Sequence, residues 1–384
     1  MNLRRVLALA AKEWREVLRD RIYFALTFLL PVILMLVLGY GMTHDVENVP
    51  LAVVDYDHSA SSREYAQHFT GSRYFAYQGT MRDVREVERA MLDGRLRVAI
   101  IIPEQFHQRL TAGRPTEVQV LLDGTFTIAV RTIRGYVGAI HADAAGELAT
   151  NALARKLGVP PDRARVVVQP LNIETRYLYN EEAKGVWTIA PLLVMFILTW
   201  TTPLLLGLGV VREKETGSIY NLYASTVTRA EFLVGKLIPT ISMSFLNGML
   251  LWCLAAWYFG APFRGSFPVF ALGTLLFVTA SCGIGLVISL VTRTQQAALM
   301  LSVILGMLVA SEYSGMSTPI SELPPVNAAI AHVLPAMYYT AIVEGSFLKG
   351  AGLTELGGNL AVLAVQSALI LCFGPLLLHK RTRT

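Results

Sequence analysis

The chain has 384 residues, of which 53% are hydrophobic and only 16% are charged, whereas a soluble domain averages about 25% charged. With a mean hydropathy of +0.48, this composition excludes an ordinary soluble globular protein and points to an integral membrane protein. The formal charge of +5 does not indicate a nucleic-acid partner. Outside residues 43–185 the basic residues flank apolar runs, where orientation signals belong.

Residues 1–21 form a cytoplasmic amphipathic helix. Leu3, Leu7, Ala10 and Trp14 are expected to lay it on the membrane surface. Residues 22–42 (IYFALTFLLPVILMLVLGYGM) carry no charge and are long enough to cross a bilayer, which takes about 20 apolar residues. The run is too long for a typical signal-peptide core, so the reading is an uncleaved first span. Residues 43–185 are rich in Asp, Glu and Arg and alternate strand-like with helix-like stretches. The strands are VPLAVVDY, RYFAYQG, LRVAIIIP, EVQVLLDG and, closing the segment, ARVVVQPLNI. Helical spacing is carried by MRDVREVERAMLDG and by Phe126 to about Leu157. The expectation is an inserted α/β domain.

Further apolar runs cover residues 186–211, 237–263, 267–291, a fifth from near Gln296 to Ser311, and 358–378. The fold class read from this pattern is an α-helical integral membrane protein with six transmembrane helices plus an inserted α/β extracytoplasmic domain. The fifth run leads into SGMSTPISELPP, an irregular stretch that either re-enters the membrane or lies outside it. Arg4, Arg5, Lys12, Arg15, Arg19 and Arg21 precede the first span. Arg212, Lys214, Arg229 and Lys236 follow the second, Arg293 follows the fourth, and Lys380, Arg381 and Arg383 end the chain. This bias places both termini, the tail 379–384 and the segment 212–230 in the cytoplasm, with 43–185 outside.

Catalytic motifs are absent: the chain has no P-loop, GxSxG or HExxH. The three cysteines, Cys253, Cys282 and Cys372, all lie in apolar runs, so neither a disulfide framework nor a zinc site is indicated. Asp55, Asp57 and His58 lie close together, and capping of a strand end and a helix start is the simpler account of them.

The stretch REKETGSIYNLYASTVTRAEFLVGKLIP, from Arg212 to Pro239, is too polar to cross a membrane at its centre and too short to form a domain. Arg212–Gly217 extends the second span as a polar helix, and Gly217 permits a break. Ile219, Leu222 and Tyr223 then repeat at three- and four-residue spacing, the apolar face of a short helix along the membrane. The stretch resembles the signature of ABC-2-type ABC transporter permeases. The charged element is Glu213, Glu215, Gly217 and Ser218, and the return is Thr228, Glu231, Gly235 and Lys236. The subgroup with a large external domain between the first two spans is similar in organisation along essentially the whole chain.

The resemblance implies a coupling helix that docks on a separate ABC ATPase, with Arg212, Glu213, Glu215, Gly217, Ser218, Ile219, Leu222 and Tyr223 at the contact. ATP and Mg would be held by that partner and no cofactor by this chain. It also implies a second permease protomer (homodimer or heterodimer), a bacterial inner-membrane location, export of drug-like or other amphiphilic molecules, and for some members a periplasmic membrane-fusion adaptor. Thr199, Thr202, Ser244, Asn247, Glu312 and Tyr313 are polar groups at or near membrane depth, hence candidates for the translocation pathway or for helix packing. The competing reading is a membrane receptor or scaffold whose outward domain binds a ligand without transport.

Overall fold

The computed structural model describes residues 2–42, 48–125, 127–168, 178–180, 184–218 and 227–377. The chain divides into two compact units, Met1–Thr43 with Tyr177–Thr384, and His44–Arg176.

The first unit is a helical bundle. Helix α1 (Leu3–Arg19) opens on Asn2, whose side chain accepts from the Arg4 N–H. Among the described residues six helices are long and apolar enough to cross a membrane: Arg21–Gly41, Gly185–Glu215, Arg229–Tyr258, Phe267–Val291, Gln295–Glu312 and Leu353–Leu376. They are spans one to six below, and the sequence pattern anticipates each of them. Span three begins eight residues earlier than its apolar run, because Thr228 and Glu231 form a reciprocal capping box that starts the helix at Arg229. Span one contains a π-helical turn at Ala25–Leu29.

Span two is the hub. Leu192–Val211 is buried almost throughout, packed against spans three, four and five. Glycines let the neighbours approach. A Cβ at Gly306 of span five would lie 2.2 Å from Trp200 Cβ, and one at Gly285 of span four 2.5 Å from the Pro203 carbonyl oxygen. Small residues at contacts are how membrane helices gain close packing without a hydrophobic driving force.

After span five the chain forms α2 (Pro325–Val333) and α3 (Pro335–Glu344), bent by 81° at their junction when α3 is taken through Lys349. Tyr339, Ile342, Val343 and Phe347 are buried in the bundle core, and Tyr339 stacks on Phe277 with ring centroids 4.2 Å apart. The irregular stretch therefore leads into a broken helix pair that penetrates the bundle.

The second unit contains a four-stranded sheet in the order β2-β1-β3-β4, with β1 Val49–Asp55, β2 Phe75–Thr80, β3 Val98–Ile102 and β4 Gln119–Leu122. β1 runs parallel to β2 and β3, and β4 is antiparallel. The central strand β3 (VAIII) is buried at every position, as a strand covered on both faces must be. Helices Ala60–Thr70, Val84–Leu92, Phe106–Thr111 and Thr127–Leu157 accompany it.

One expected strand is a helix. Residues 164–168 (ARVVV), the start of the predicted closing strand, belong to the helix Pro161–Val168. Pro161 at the first helical position and Asp162 in the first turn start it, and Arg163 and Ala164 donate back to the Pro160 carbonyl. Val166 and Val167 are left largely exposed. Valines favour strands only where a ladder receives them, and helix-start chemistry prevails here. Residues 169–173 of that stretch lie outside the described residues.

Candidate functional site

The charged end of the bundle is built from helix α1, the end of span two and the start of span three. Lys236, on the first turns of span three, is 4% exposed, as is Glu213 at the end of span two. The Lys236 ammonium donates to Glu13 of α1 and, at 2.8 Å, to the Gly209 carbonyl. It also lies 3.0 Å from Glu213 Oε1, which accepts from Lys12 of α1 at the same distance. Two lysines and two glutamates from three helices thus alternate in one chain of charge, in which Glu213, Lys236 and Glu13 are largely enclosed and Lys12 stands half-exposed at the rim.

Buried charges are tolerable only when paired and hydrogen-bonded, and this pairing requires α1 to lie against the bundle. Gly235 makes that possible, since a Cβ there would sit 2.7 Å from Leu9 Cβ. Val6, Ala10 and Val17 of α1 are buried, with Trp14 packed beside them. Leu3 and Leu7 remain exposed. The apolar stripe expected to lie on the membrane is therefore divided, with Ala10 and Trp14 facing protein. The reason is the ion chain, which turns the Lys12 and Glu13 side of the helix inward.

The remaining charges of residues 212–215 are engaged as well. Arg212 pairs with Asp20 at 3.1 Å, at the junction of α1 and span one. Lys214 donates to the Ser289 carbonyl near the end of span four. Glu215 accepts from the Gln295 backbone N–H at 3.0 Å and its side-chain amide at 2.9 Å, where span five begins. Glu231 accepts from the Asn2 and Thr228 N–H groups. Four consecutive side chains at the end of span two thereby bind α1 and spans three, four and five into a collar.

Electrostatics follow the geometry. Burial pushes the Glu13 carboxyl above the usual carboxylate range, against the pull of Lys236. Burial works against the Lys12 charge, but the hydrogen bond and charge of Glu213 prevail and hold Lys12 above the usual lysine range. The Tyr23 backbone N–H, with that of Ile22 and with Arg212, holds Asp20 below its ordinary value. A shallow groove of about 490 Å³ outside the collar is lined by Lys12, Arg15, Glu16, Arg19, Asp20 and Arg212.

Span two ends with Thr216 as its cap and Gly217 in the left-handed conformation, φ +72°, the glycine helix stop of a polar extension. The Ser218 hydroxyl lies 3.1 Å from that of Thr216 and 3.5 Å from the Glu213 carbonyl. Ile219, Leu222 and Tyr223 lie outside the described residues. Of the candidate coupling residues, Arg212, Glu213 and Glu215 are thus brought together as internal ties. Sequence reasoning gave no role to Glu13, Asp20 and Gln295, and read Lys12 only as one of the charges that orient the chain. The available signal was the pair of opposite charges, Lys12-Glu13, on an otherwise apolar-periodic helix.

The pathway candidates separate into two groups. Thr199, Thr202, Ser244 and Asn247 are buried inside the bundle. The Thr199 hydroxyl bonds back to the Met195 carbonyl at 2.8 Å, whereas Thr202, Ser244 and Asn247 leave polar atoms without a partner among the described residues. Glu312 and Tyr313 sit at the far end of span five, Glu312 exposed and Tyr313 half-buried. In the second unit, Asp55 caps the Asp57 and His58 N–H groups and accepts from Ser62. Among the described residues no group of three His, Cys, Asp or Glu side chains is arranged for a metal.

Comparison with known proteins gives one answer throughout. Residues 21–374 match a family described as ABC-2 family transporter protein. The chain is similar to the "Probable multidrug ABC transporter permease YbhS" of Escherichia coli (strain K12), 28% identical over 97% of this chain and 93% of that protein. The "Probable multidrug ABC transporter permease YbhR" of the same strain is 25% identical over 95% of each chain. The "Inner membrane transport permease YhhJ", also from that strain, is 25% identical over 91% of this chain and 90% of that one. With six candidate spans and a match covering most of its length, the chain belongs to the ABC-2 family of transporter proteins and is a permease subunit of an ABC transporter.

Proposed function

We propose that the chain is the membrane half of an ABC exporter in a bacterial inner membrane, driven by a separate ATPase subunit. The observation that carries this reading is the collar. The run 212–215 fastens the end of span two to α1 and to spans three, four and five. A push on the segment that follows Gly217 would therefore be delivered to most of the bundle at once. ATP and Mg belong to the partner subunit, and this chain supplies the moving part.

On this reading both termini and the collar face the cytoplasm, where Lys and Arg concentrate, and the His44–Arg176 unit faces outward. Spans five and six bury little of their surface within the protomer, leaving room for lipid and for a second protomer. Drug-like or other amphiphilic molecules are the substrates suggested by the relatives' names. A periplasmic adaptor would join through the outward unit.

Co-purification of the full chain with its ATPase, followed by ATP turnover and efflux in vesicles, tests the proposal. Gly217→Val, which forces a branched side chain into a left-handed backbone, should weaken association or leave ATP turnover that no longer drives efflux. Native association together with native efflux in that variant would refute the coupling role.

A further inference from the structure

Most buried hydroxyls in the spans satisfy themselves. Thr199, Thr201, Thr240, Thr274 and Thr279 each donate to the carbonyl four residues back in their own helix. Thr202, Ser244, Asn247 and Ser281 do not, although their side chains are as deeply buried. Thr202 Oγ1, Ser244 Oγ, both amide atoms of Asn247 and Ser281 Oγ have no partner among the described residues.

These atoms converge on the junction of spans two, three and four. Leu198 and Leu206 lie one turn either side of Thr202, on the same face of span two. Leu198 packs against Gly248 of span three, where a Cβ would lie 3.2 Å from Leu198 Cδ1 and 2.8 Å from Thr274 Cγ2 of span four. Leu206 packs with Leu233 and Leu237 of span three and with Cys282 of span four. The face bearing Thr202 thus looks into the groove between spans three and four. Ser244 lies one turn from Gly248 on the same face of span three, and Ser281 lies one turn from Gly285, which meets Pro203 of span two. Asn247 is buried one turn from Met243, which clusters with Leu204 and Leu208 of span two.

The Leu198–Gly248 contact and the Lys236–Gly209 bond together set the antiparallel register of spans two and three, placing Ser244 near the level of Thr201 and Thr202 and Asn247 near that of Leu198 and Thr199. One more acceptor stands at this level. Pro203 has no N–H, so the Thr199 carbonyl lacks its helical donor four residues on.

We propose that this junction is a hydration site, a buried cluster of water that bridges Asn247, Thr202, Ser244, Ser281 and the Thr199 carbonyl. The chemistry selects water. The groups are neutral and offer both donors and acceptors, and Asn247 alone can make several hydrogen bonds. A buried water typically makes about three bonds to otherwise unsatisfied groups, so roughly two waters would serve the five side-chain atoms and the Thr199 carbonyl. In a bilayer the alternative is costly, since bulk water cannot reach these groups. Resting on the exporter reading, the water has a use. It surrounds the one proline in the buried middle of span two, Pro203, and exchangeable bonds there let the collar half of that span bend against its other half.

Radiolytic hydroxyl-radical labelling of the purified full chain in ¹⁸O-water tests this, because radicals formed from a bound water oxidise the side chains beside it. Met243 and Cys282 adjoin Ser244 and Ser281 and are shielded from bulk solvent, while Met35 is an equally buried sulfur in an apolar cluster. The expected result is oxidation of Met243 several-fold faster than Met35, falling to the Met35 rate in the triple variant Thr202→Val/Ser244→Ala/Asn247→Leu, with the oxidation of Cys282 lower in that variant than in the native chain. Labelling no faster than Met35 in the native chain overturns the proposal. So does labelling that persists in the triple variant, provided thermal unfolding shows that it folds. The hinge role is read separately: with the ATPase bound, the triple variant should hydrolyse ATP while efflux drops several-fold. Native efflux in the variant removes that role. If the chain were no exporter, the native complex itself would show no efflux while the labelling result stood.

Discussion

Acidic and hydroxyl side chains act over different ranges in the two compact units. In His44–Arg176, Asp55, Ser59, Asp83 and Asp123 bond groups two to seven residues away, ending strands and starting helices. In the bundle, Glu213 reaches Lys12 across 201 positions, Lys236 reaches Glu13 across 223 and Arg212 reaches Asp20 across 192. The small unit uses most of these groups to shape its own elements, at a surface where water can substitute for a lost partner. Its longer ties, such as His107 N–H to Asp57 across 50 positions and Asn151 to Glu64 across 87, stay far shorter than those of the bundle. The bundle uses its polar groups to hold separate helices together in a place that water reaches poorly. Losses should therefore be mild and local in the first and severe and delocalised in the second.

The largest effect should come from Lys236→Met, which leaves Glu13 and Glu213 facing each other without their shared cation. Removing one partner of a buried pair typically costs about 3–5 kcal/mol, so thermal unfolding should fall steeply, and Lys236→Met/Glu213→Gln should recover part of the loss. Equal stability of native chain and single variant would break the comparison. Next is Gly235→Val, which drives a side chain into Leu9 and should cost about 1–3 kcal/mol as overpacking does. Its sharper readout is protease cleavage within α1, expected to quicken while the cleavage pattern of the second unit is unchanged.

Asp83→Ala removes the acceptor for the Glu86 N–H and should cost about 1 kcal/mol. The loss should be confined to hydrogen exchange in Val84–Leu92, with ATP turnover unaltered. The smallest effect is a pH dependence. Because burial raises the Glu13 pKa, its folded form binds a proton more tightly than its unfolded form. The contribution is then fully present below the ordinary glutamate range and is lost as pH rises through the raised value. As pH falls from 7 to 5, the native chain should gain stability relative to Glu13→Gln. A relative loss over that window would show that Lys236, rather than burial, governs this carboxyl.

The same contrast of range explains what the sequence disclosed. Spans, caps and the glycine stop at Gly217 depend on neighbours in the chain, so period and residue type reveal them. The capping box of Thr228 and Glu231, part of the family signature, is equally local. Glu213 read as a surface contact because one of its partners, Lys12, lies 201 positions away, on a helix assigned from the sequence to the membrane surface. The valines at 166–168 misled for the converse reason. Their strand preference is genuine, but a strand needs a ladder elsewhere, while the Pro161 helix start needs nothing beyond its own turn. Asn247 could be noticed as polar at depth, yet only the packing of Gly248 and Lys236 shows what stands level with it.

The collar also fixes an order of events during synthesis. Helix α1 leaves the ribosome before residues 213 and 236 have been made, and at about 5–20 residues per second their arrival takes roughly ten to forty seconds more. Throughout that interval Lys12 lacks Glu213 and Glu13 lacks Lys236. The exposed leucines at 3, 7 and 18 give the helix a lipid surface on which to wait, so its last step is to leave that temporary berth and lock the finished bundle.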